Sequence, residues 1–203
     1  MIIAVDGPAA SGKGTIARAL AAHFRLPHLD TGLLYRAVGV ATMRAGGDPA
    51  VEGDAAAACG FADALLADPA LRNEEAGGLA SRVSVHPAVR TALLRRQRDF
   101  ALQPGGAVLD GRDIGTVIVP GADAKLYVTA TPEIRARRRQ LDDYSRDYPA
   151  ILAEILARDE RDSGRADAPM RRADDADLLD TTDLTIGAAI QRAIALVEAR
   201  IRP

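Results

Sequence analysis

Nine consecutive residues near the start of the chain, Gly7-Pro8-Ala9-Ala10-Ser11-Gly12-Lys13-Gly14-Thr15, carry the spacing G-x-x-x-x-G-K. They follow a short apolar run, Ile2 to Val5, and open a segment of helical character, which is the context this spacing needs to hold a nucleotide's phosphates. Glycines let successive backbone N–H groups turn inward on phosphate oxygens, the helix N-terminus adds positive potential, and Lys13 reaches the β and γ groups. All nine residues are therefore candidate ATP-binding residues, with Lys13 also catalytic. Of 26 basic side chains only Lys13 and Lys125 are lysines, and Lys13 falls where a flexible point charge suits phosphate better than a planar fork.

Many such loops carry a Ser or Thr directly after the lysine to ligate magnesium. Here Gly14 takes that place and Thr15 follows one residue later. The Lys-Gly-Thr ending resembles that of nucleoside monophosphate kinases. It implies that Mg2+ is carried mainly by the ATP phosphates and water, and no side chain is assigned as a metal ligand. No Asn-Lys-x-Asp motif, by which G proteins read guanine, occurs in the chain.

A second set of residues suits a second phosphate-bearing ligand. Asp30-Thr31-Gly32-Leu33-Leu34-Tyr35-Arg36 follows the second apolar run, and Asp110-Gly111-Arg112-Asp113 ends the third. In a parallel α/β sheet both belong to the carboxyl edge, where ligands bind, and their arginines match phosphate geometry.

The ordered set Asp30-Thr31-Gly32-x-x-Tyr35-Arg36, Leu109-Asp110-Gly111-Arg112-Asp113-Ile114-Gly115-Thr116 and Arg158-Asp159-Glu160-Arg161-Asp162 resembles bacterial cytidylate kinases over most of the chain. That resemblance implies an acceptor site in which Asp113 and Thr31 meet the cytosine amino group and Arg90 and Arg165 donate to the base acceptors. Arg36 and Arg112 would bind the acceptor phosphate, and Ser81, Arg158 and Asp162 would approach the sugar. The pattern agrees with cytosine, which offers a 4-amino donor beside acceptors at N3 and O2, whereas uracil reverses the first two groups.

Pro132 to Arg139 places Arg135, Arg138 and Arg139 on one helix face by i, i+3, i+4 spacing. Arg158, Arg161 and Arg165 form a similar stripe if the following helix continues that far. Phosphoryl transfer spreads negative charge over three equatorial oxygens, so convergent arginines are the expected catalytic apparatus. Arg135, Arg138, Arg139 and Arg161 join Lys13 as the candidate catalytic residues. The competing reading is a solvated face paired with Asp142, Asp143 and Glu154. Closure of such a lid over about residues 132–165 would exclude water, and an acceptor phosphate already ionised needs no general base.

The elements that must position these groups are legible as alternation. Short apolar runs at Ile2 to Val5, Leu26 to Leu29, Ala107 to Leu109, Ala124 to Val128 and Leu178 to Leu179 alternate with helix-length segments. Helices are expected over about Gly12 to Phe24, Leu33 to Ala45, Pro87 to Ala101, Pro132 to Leu141, Pro149 to Asp162 and Gly187 to Arg200. Runs buried on both faces imply a parallel sheet covered by helices. Between Arg44 and Gly78 the sequence turns to Ala, Gly and Asp, which predicts a mobile helical insert rather than sheet. The Leu178 to Asp183 stretch is expected near the adenine.

Length and charge bound the rest. The 203 residues, 48% hydrophobic, suit one compact domain, and 26 basic against 28 acidic side chains argue against a nucleic-acid surface. One cysteine, Cys59, cannot form an internal disulfide, and His23, His28 and His86 lack metal-site spacing. No apolar stretch approaches the roughly 20 residues that span a bilayer, which sets aside a membrane role and favours the cytoplasm.

The expectation is an α/β P-loop kinase fold with a five-stranded parallel sheet, an acceptor-binding insert over 36–85 and an arginine-rich lid over 132–165, in a single domain acting as a monomer. The implied activity is ATP-dependent phosphorylation of CMP and dCMP. A kinase for UMP or AMP, and a nucleotide-sensing module that phosphorylates nothing, stay open as alternatives.

Overall fold

The computed structural model describes residues 1–142, 144 and 146–201; Asp143, one of the expected surface partners of the lid arginines, lies outside the described residues. Five parallel strands, β1 (Ile2–Asp6), β2 (His28–Asp30), β3 (Ala107–Gly111), β4 (Ala124–Thr129) and β5 (Asp177–Asp180), form one sheet in the order β2-β3-β1-β4-β5. The helices are α1 (Lys13–Phe24), α2 (Thr31–Arg44), α3 (Glu52–Ala57), α4 (Glu74–Val83), α5 (Pro87–Ala101), α6 (Pro132–Asp142), α7 (Tyr148–Ser163) and α8 (Ile186–Ile201). The fold is the P-loop kinase α/β arrangement.

The register sets the working edge. Asp6 lies opposite both Gly111 and Tyr127, and Thr129 lies opposite Asp180, so four strands end together. The loops that leave those ends share one side of the sheet, the side where parallel sheets bind ligands.

By internal contacts the chain divides into two compact units, residues 1–29 with 100–203, and residues 30–99. In the first, Ile3, Val5, Val108, Leu126 and Val128 of the strands bury against Ile16 and Leu20 of α1 and Ala193 and Val197 of α8. Ile16 and Leu20 are fully excluded from solvent, each stabilising the fold by about 1.5–3 kcal/mol. That packing seats α1 firmly beneath its own N-terminal loop. No helix among the described residues is long and apolar enough to cross a membrane.

Strand β2 begins two residues later than its apolar run. The Leu26 N–H is spent on Ala21 O at 2.9 Å, closing α1, and Pro27 has no N–H, although its carbonyl accepts from Val108 N at 2.9 Å. The ladder therefore starts at His28.

In the second unit α2 packs on α4. A Cβ on Gly39 would lie 2.6 Å from Leu79 Cβ, so glycine is what permits the close approach. Ala37, Val40, Leu71, Ala76 and Leu79 make its core, with Leu65 and Leu66 of the 3-10 turn Asp63–Ala67 and Phe61 just before it packed against it. The insert is helical, as its composition predicts. Helix α4 lies outside the helices expected from periodicity, because Gly77 and Gly78 interrupt the pattern; the Asn73 side chain caps it, accepting from Ala76 N at 2.8 Å.

Candidate active site

The loop after β1 is shaped by three backbone requirements. Gly7 has φ +150°, its N–H donates to Gly111 O at 3.3 Å, and a Cβ there would stand 2.0 Å from Val128 O. Ala10 adopts the left-handed conformation at φ 58°, and Gly12 takes φ 90° at the N-cap of α1. Gly12 offers no capping side chain, so the first-turn N–H groups of α1 meet no side-chain acceptor at the N-cap. A helix end of this kind suits an anion, and Lys13 is its first residue. Ser11 is wholly buried and its Oγ has no hydrogen-bond partner among the described residues.

Beside the loop opens a cavity of about 650 Å3, bounded by Ser11, Thr15, Arg138, Thr181, Leu184 and Ile186 among others. One end of it is the loop, and its far wall is apolar: Leu184 from the β5–α8 connection and Ile186 and Ala189 from α8.

Two of the expected lid arginines hold the loop's carbonyl oxygens. The Arg138 guanidinium donates to Thr181 O at 2.7 Å, to Thr181 Oγ1 at 3.0 Å and to Ser11 O at 3.4 Å. Thr181 itself is buried, its hydroxyl lying 3.0 Å from both Ser11 O and Thr129 O. Arg135, 3% exposed, donates to Ala130 O at 2.9 Å and Ala9 O at 3.2 Å, and grips both oxygens of Asp159 at 3.1 and 2.5 Å. Both side chains thus donate to backbone carbonyls of the loop, and Arg138 also borders the cavity. Arg139 is half-buried on the same helix and Arg161 is exposed on α7. Helices α6 and α7 pack through Ala136, Ile151 and Ile155.

Helix α7 ends at Ser163 with Gly164 as its C-cap, so the stripe of Arg158, Arg161 and Arg165 is interrupted before Arg165. Arg165 instead turns back, its Nη2 on Asp162 Oδ1 at 2.5 Å. Asp162, almost fully buried, also accepts from Arg112 Nε at 2.9 Å and has Arg158 Nε at 3.9 Å. Burial alone would raise its pKa, but the charges of Arg112, Arg165 and Arg158 outweigh that and hold it at about 2. Three guanidinium groups around one carboxylate leave a net positive centre suited to an anion.

The β3 end carries two carboxylates with different tasks. Asp110 is tied to His28, Oδ1 to Nε2 at 2.7 Å, and its Oδ2 lies 3.7 Å from where a Gly14 Cβ would be. Asp113, buried, opens a π-helical turn over Ile114–Ile118, whose Val117 N–H donates to Asp113 O at 2.9 Å.

The remaining expected acceptor residues belong to the second unit. Thr31 is buried in the first turn of α2, and Ser81 is buried on α4. Arg36 Nη1 donates to Leu71 O at 2.8 Å. Arg90, buried on α5, lies 6.0 Å over the Tyr35 ring, a cation–π distance, with its Nη1 3.5 Å from Ser84 O. Each unit therefore gathers its own share: Thr31, Arg36, Ser81 and Arg90 in one, Arg112, Asp113, Arg158, Asp162 and Arg165 in the other.

Three contributors escape the motif reading. Asp6 looks like the last residue of a strand, Thr181 like part of a turn, and Asp159 like a spacer within Arg158 to Asp162. Only Asp159 carried a signal, since its i, i+3 spacing to Asp162 puts both carboxylates near one face of α7. His23 and His86 have ordinary partners, Glu198 Oε1 at 3.3 Å and Pro49 O at 2.9 Å, and the described residues contain no group of three or more metal-binding side chains.

Against known proteins, a family model described as cytidylate kinase matches residues 3–199. The cytidylate kinase of Rhodopseudomonas palustris strain HaA2 is 54% identical over 204 residues, covering 98% of this chain and 96% of that protein. That of Xanthobacter autotrophicus is 58% identical over 205 residues, covering 98% of both. Among solved structures, shikimate kinase from Bacteroides thetaiotaomicron matches with a TM-score of 0.52 at 14% identity, covering 98% of each chain, a likeness of fold alone.

Proposed function

Because the chain belongs to the cytidylate kinase family, we propose that it transfers the γ-phosphoryl group of ATP to CMP and dCMP, giving CDP and dCDP. The observation that carries this reading is the coincidence of the family match over residues 3–199 with a phosphate loop, an orphan Ser11 hydroxyl and a buried arginine cluster in one chain. A module that only senses ATP has no use for that cluster.

On this reading the ATP phosphates lie on Gly7 to Thr15, with Lys13 across the β and γ groups and the adenine in the cavity beside Leu184 and Ile186. Arg138 and Arg135 hold Ser11 O and Ala9 O so that the loop amides keep their aim, with Arg138 doing so from the wall of the cavity. Arg139 and Arg161 are the lid side chains that neutralise charge on the transferred group. Mg2+, when bound, screens the triphosphate and polarises the bond that breaks. Gly14 has no side-chain oxygen and the described residues hold no group of three or more metal-binding side chains, so the residues present would fit a metal carried by phosphate and water, not a protein cage.

The acceptor phosphate, an anion, is drawn to Arg36 and Arg112, while Asp113 and Thr31 read the cytosine amino group and Arg90 and Arg165 its acceptors. Ser81, Arg158 and Asp162 face the sugar. In-line attack needs no base, because the nucleophilic oxygen is already ionised; positioning and charge neutralisation carry the barrier reduction. Residues 36–85 serve as the acceptor-binding insert and 132–165 as the lid, in a monomer of the cytoplasm.

A coupled assay of ADP release with CMP, dCMP, UMP or AMP, each at equal concentration, tests the acceptor assignment. CMP and dCMP are expected to turn over fastest. Faster turnover of UMP or AMP overturns the base reading.

A further inference from the structure

Asp6 is the last residue of β1 and immediately precedes the phosphate loop. It is 5% exposed and makes two hydrogen bonds across the sheet edge: the N–H groups of Ile114 and Gly115 donate to its Oδ1 and Oδ2, each at 2.8 Å. Those two amides directly follow Asp113, at the start of the π-helical turn that Asp113 opens. A single carboxylate thus straps the Asp113 turn to the strand that ends in the donor loop.

Asp113 itself sits at φ −143°, ψ 25°, outside regular helix, and the turn's own backbone bonds start from Val117 N, which donates to Asp113 O. The space behind Gly115 is closed tightly, since a Cβ there would stand 3.4 Å from Asp6 Oδ2 and 3.1 Å from Lys125 Cδ. Moving the Asp6 oxygens therefore moves residues 114 and 115, and with them the backbone from which Asp113 projects. An ionised carboxylate accepts strongly from both N–H groups; an amide turns an NH2 donor toward one of them, and protonation weakens the acceptance at the oxygen that carries the proton.

We propose that Asp6 is a positioning residue for the cytosine-reading carboxylate: by holding Ile114 N and Gly115 N it fixes Asp113, and thereby sets the preference for CMP over UMP. The inference rests on the assignment of Asp113 to the base under Proposed function. It also gives the enzyme a direct mechanical tie between the donor loop and acceptor recognition, because the residue after Asp6 is Gly7, whose own N–H is held by Gly111 O.

The test is a four-protein cycle of wild type, Asp6→Asn, Asp113→Ala and the double variant, reading kcat/KM for CMP and for UMP. Asp6→Asn is expected to lower the CMP-to-UMP ratio about tenfold, the size of one lost hydrogen bond to a charged group. In the double variant the two effects are expected not to add, because Asp6 acts through Asp113. A merely structural role lowers both acceptors together and leaves the ratio unchanged, and that result overturns the proposal if Asp113→Ala does collapse the ratio. If Asp113→Ala leaves the ratio intact, the base assignment itself falls and Asp6 loses its target.

Should Asp6→Asn fail to fold, the wild-type protein decides. Burial pushes the Asp6 carboxyl up to about 7, against its two N–H donors, with Asp113, Arg112 and Tyr127 the charged and titratable groups facing it. Between about pH 8 and pH 6 the CMP-to-UMP ratio is expected to fall severalfold as Asp6 takes its proton. The acceptor phosphates titrate alike in both substrates and cancel in the ratio. A ratio that stays flat over that range overturns the proposal.

Discussion

Arg112 Nε donates to Asp162 Oδ2 at 2.9 Å, with the two side chains 13% and 2% exposed. The pair is the centre of a cluster in which Arg158 and Arg165 also face the carboxylate. Since Asp162 titrates at about 2 against an ordinary 3.8, it binds its proton less readily in the folded state. Its contribution is present above about 3.8 and lost as the pH falls through about 2. Linkage puts that contribution at about 2 kcal/mol at neutral pH. Urea unfolding of wild type and Asp162→Asn across acid pH is expected to show a stability gap that closes over this window. A gap independent of pH argues against the ion cluster as its source.

Lys13→Ala is expected to lower kcat by a thousandfold or more, an order of magnitude in line with loss of a preorganised positive group at the transferred phosphoryl. Folding is expected to survive, because α1 is held by Ile16 and Leu20 in the core and not by its first residue. Circular dichroism with single-turnover kinetics separates the two effects. Residual transfer within tenfold of wild type removes Lys13 from its role.

Gly7→Ala tests the loop itself. The added Cβ would meet the Val128 carbonyl oxygen at 2.0 Å, in the backbone of a central strand that cannot move aside. Loss of ATP binding together with a melting temperature lowered by several degrees is the expected outcome, from a cost of order 1–3 kcal/mol. Unchanged ATP affinity would mean the loop closes differently around phosphate.

Arg138 and Arg135 are distinguished by what they hold. Arg138→Ala frees Ser11 O and Thr181, so KM for ATP is expected to rise about tenfold with a smaller change in KM for CMP. Arg135→Ala strands the Asp159 carboxylate and is expected to destabilise the fold by about 3–5 kcal/mol, with Arg135→Lys a poor rescue because a single ammonium cannot span both oxygens. A kcat loss for Arg138→Ala with KM for ATP unchanged would instead put that guanidinium on the transferred phosphoryl. Thermal melts and ATP titrations of the three variants decide.

How much of this was legible in the residues follows from the kind of signal each element carries. The turn between β1 and α1 was legible, because Gly7 and Gly12 are demanded by local backbone geometry, with φ +150° and 90°. Buried strands were legible as apolar runs, yet β2 starts late because Leu26 N is diverted to cap α1 and Pro27 lacks an N–H. Helix α4 was hidden by Gly77 and Gly78, glycines that periodicity reads as breaks. The lid arginines were legible as a face, but spacing cannot say that Arg135 and Arg138 turn toward backbone carbonyls of the loop. Asp6 and Thr181 were illegible for the same reason: their partners, residues 114–115 and Ser11, are more than 100 positions away, and only the parallel register brings them together.

One competition settles the identity of the acceptor. The protein is incubated with Mg-ATP and an equimolar mixture of CMP, dCMP, UMP and AMP, and the diphosphate products are resolved by chromatography at low conversion. CDP and dCDP are expected to dominate, with UDP at least tenfold lower, because hydrogen-bonding groups aimed at cytosine reject uracil, which reverses them. UDP formed as fast as CDP, or ADP formed beyond the amount that matches phosphorylated pyrimidine, contradicts the assignment.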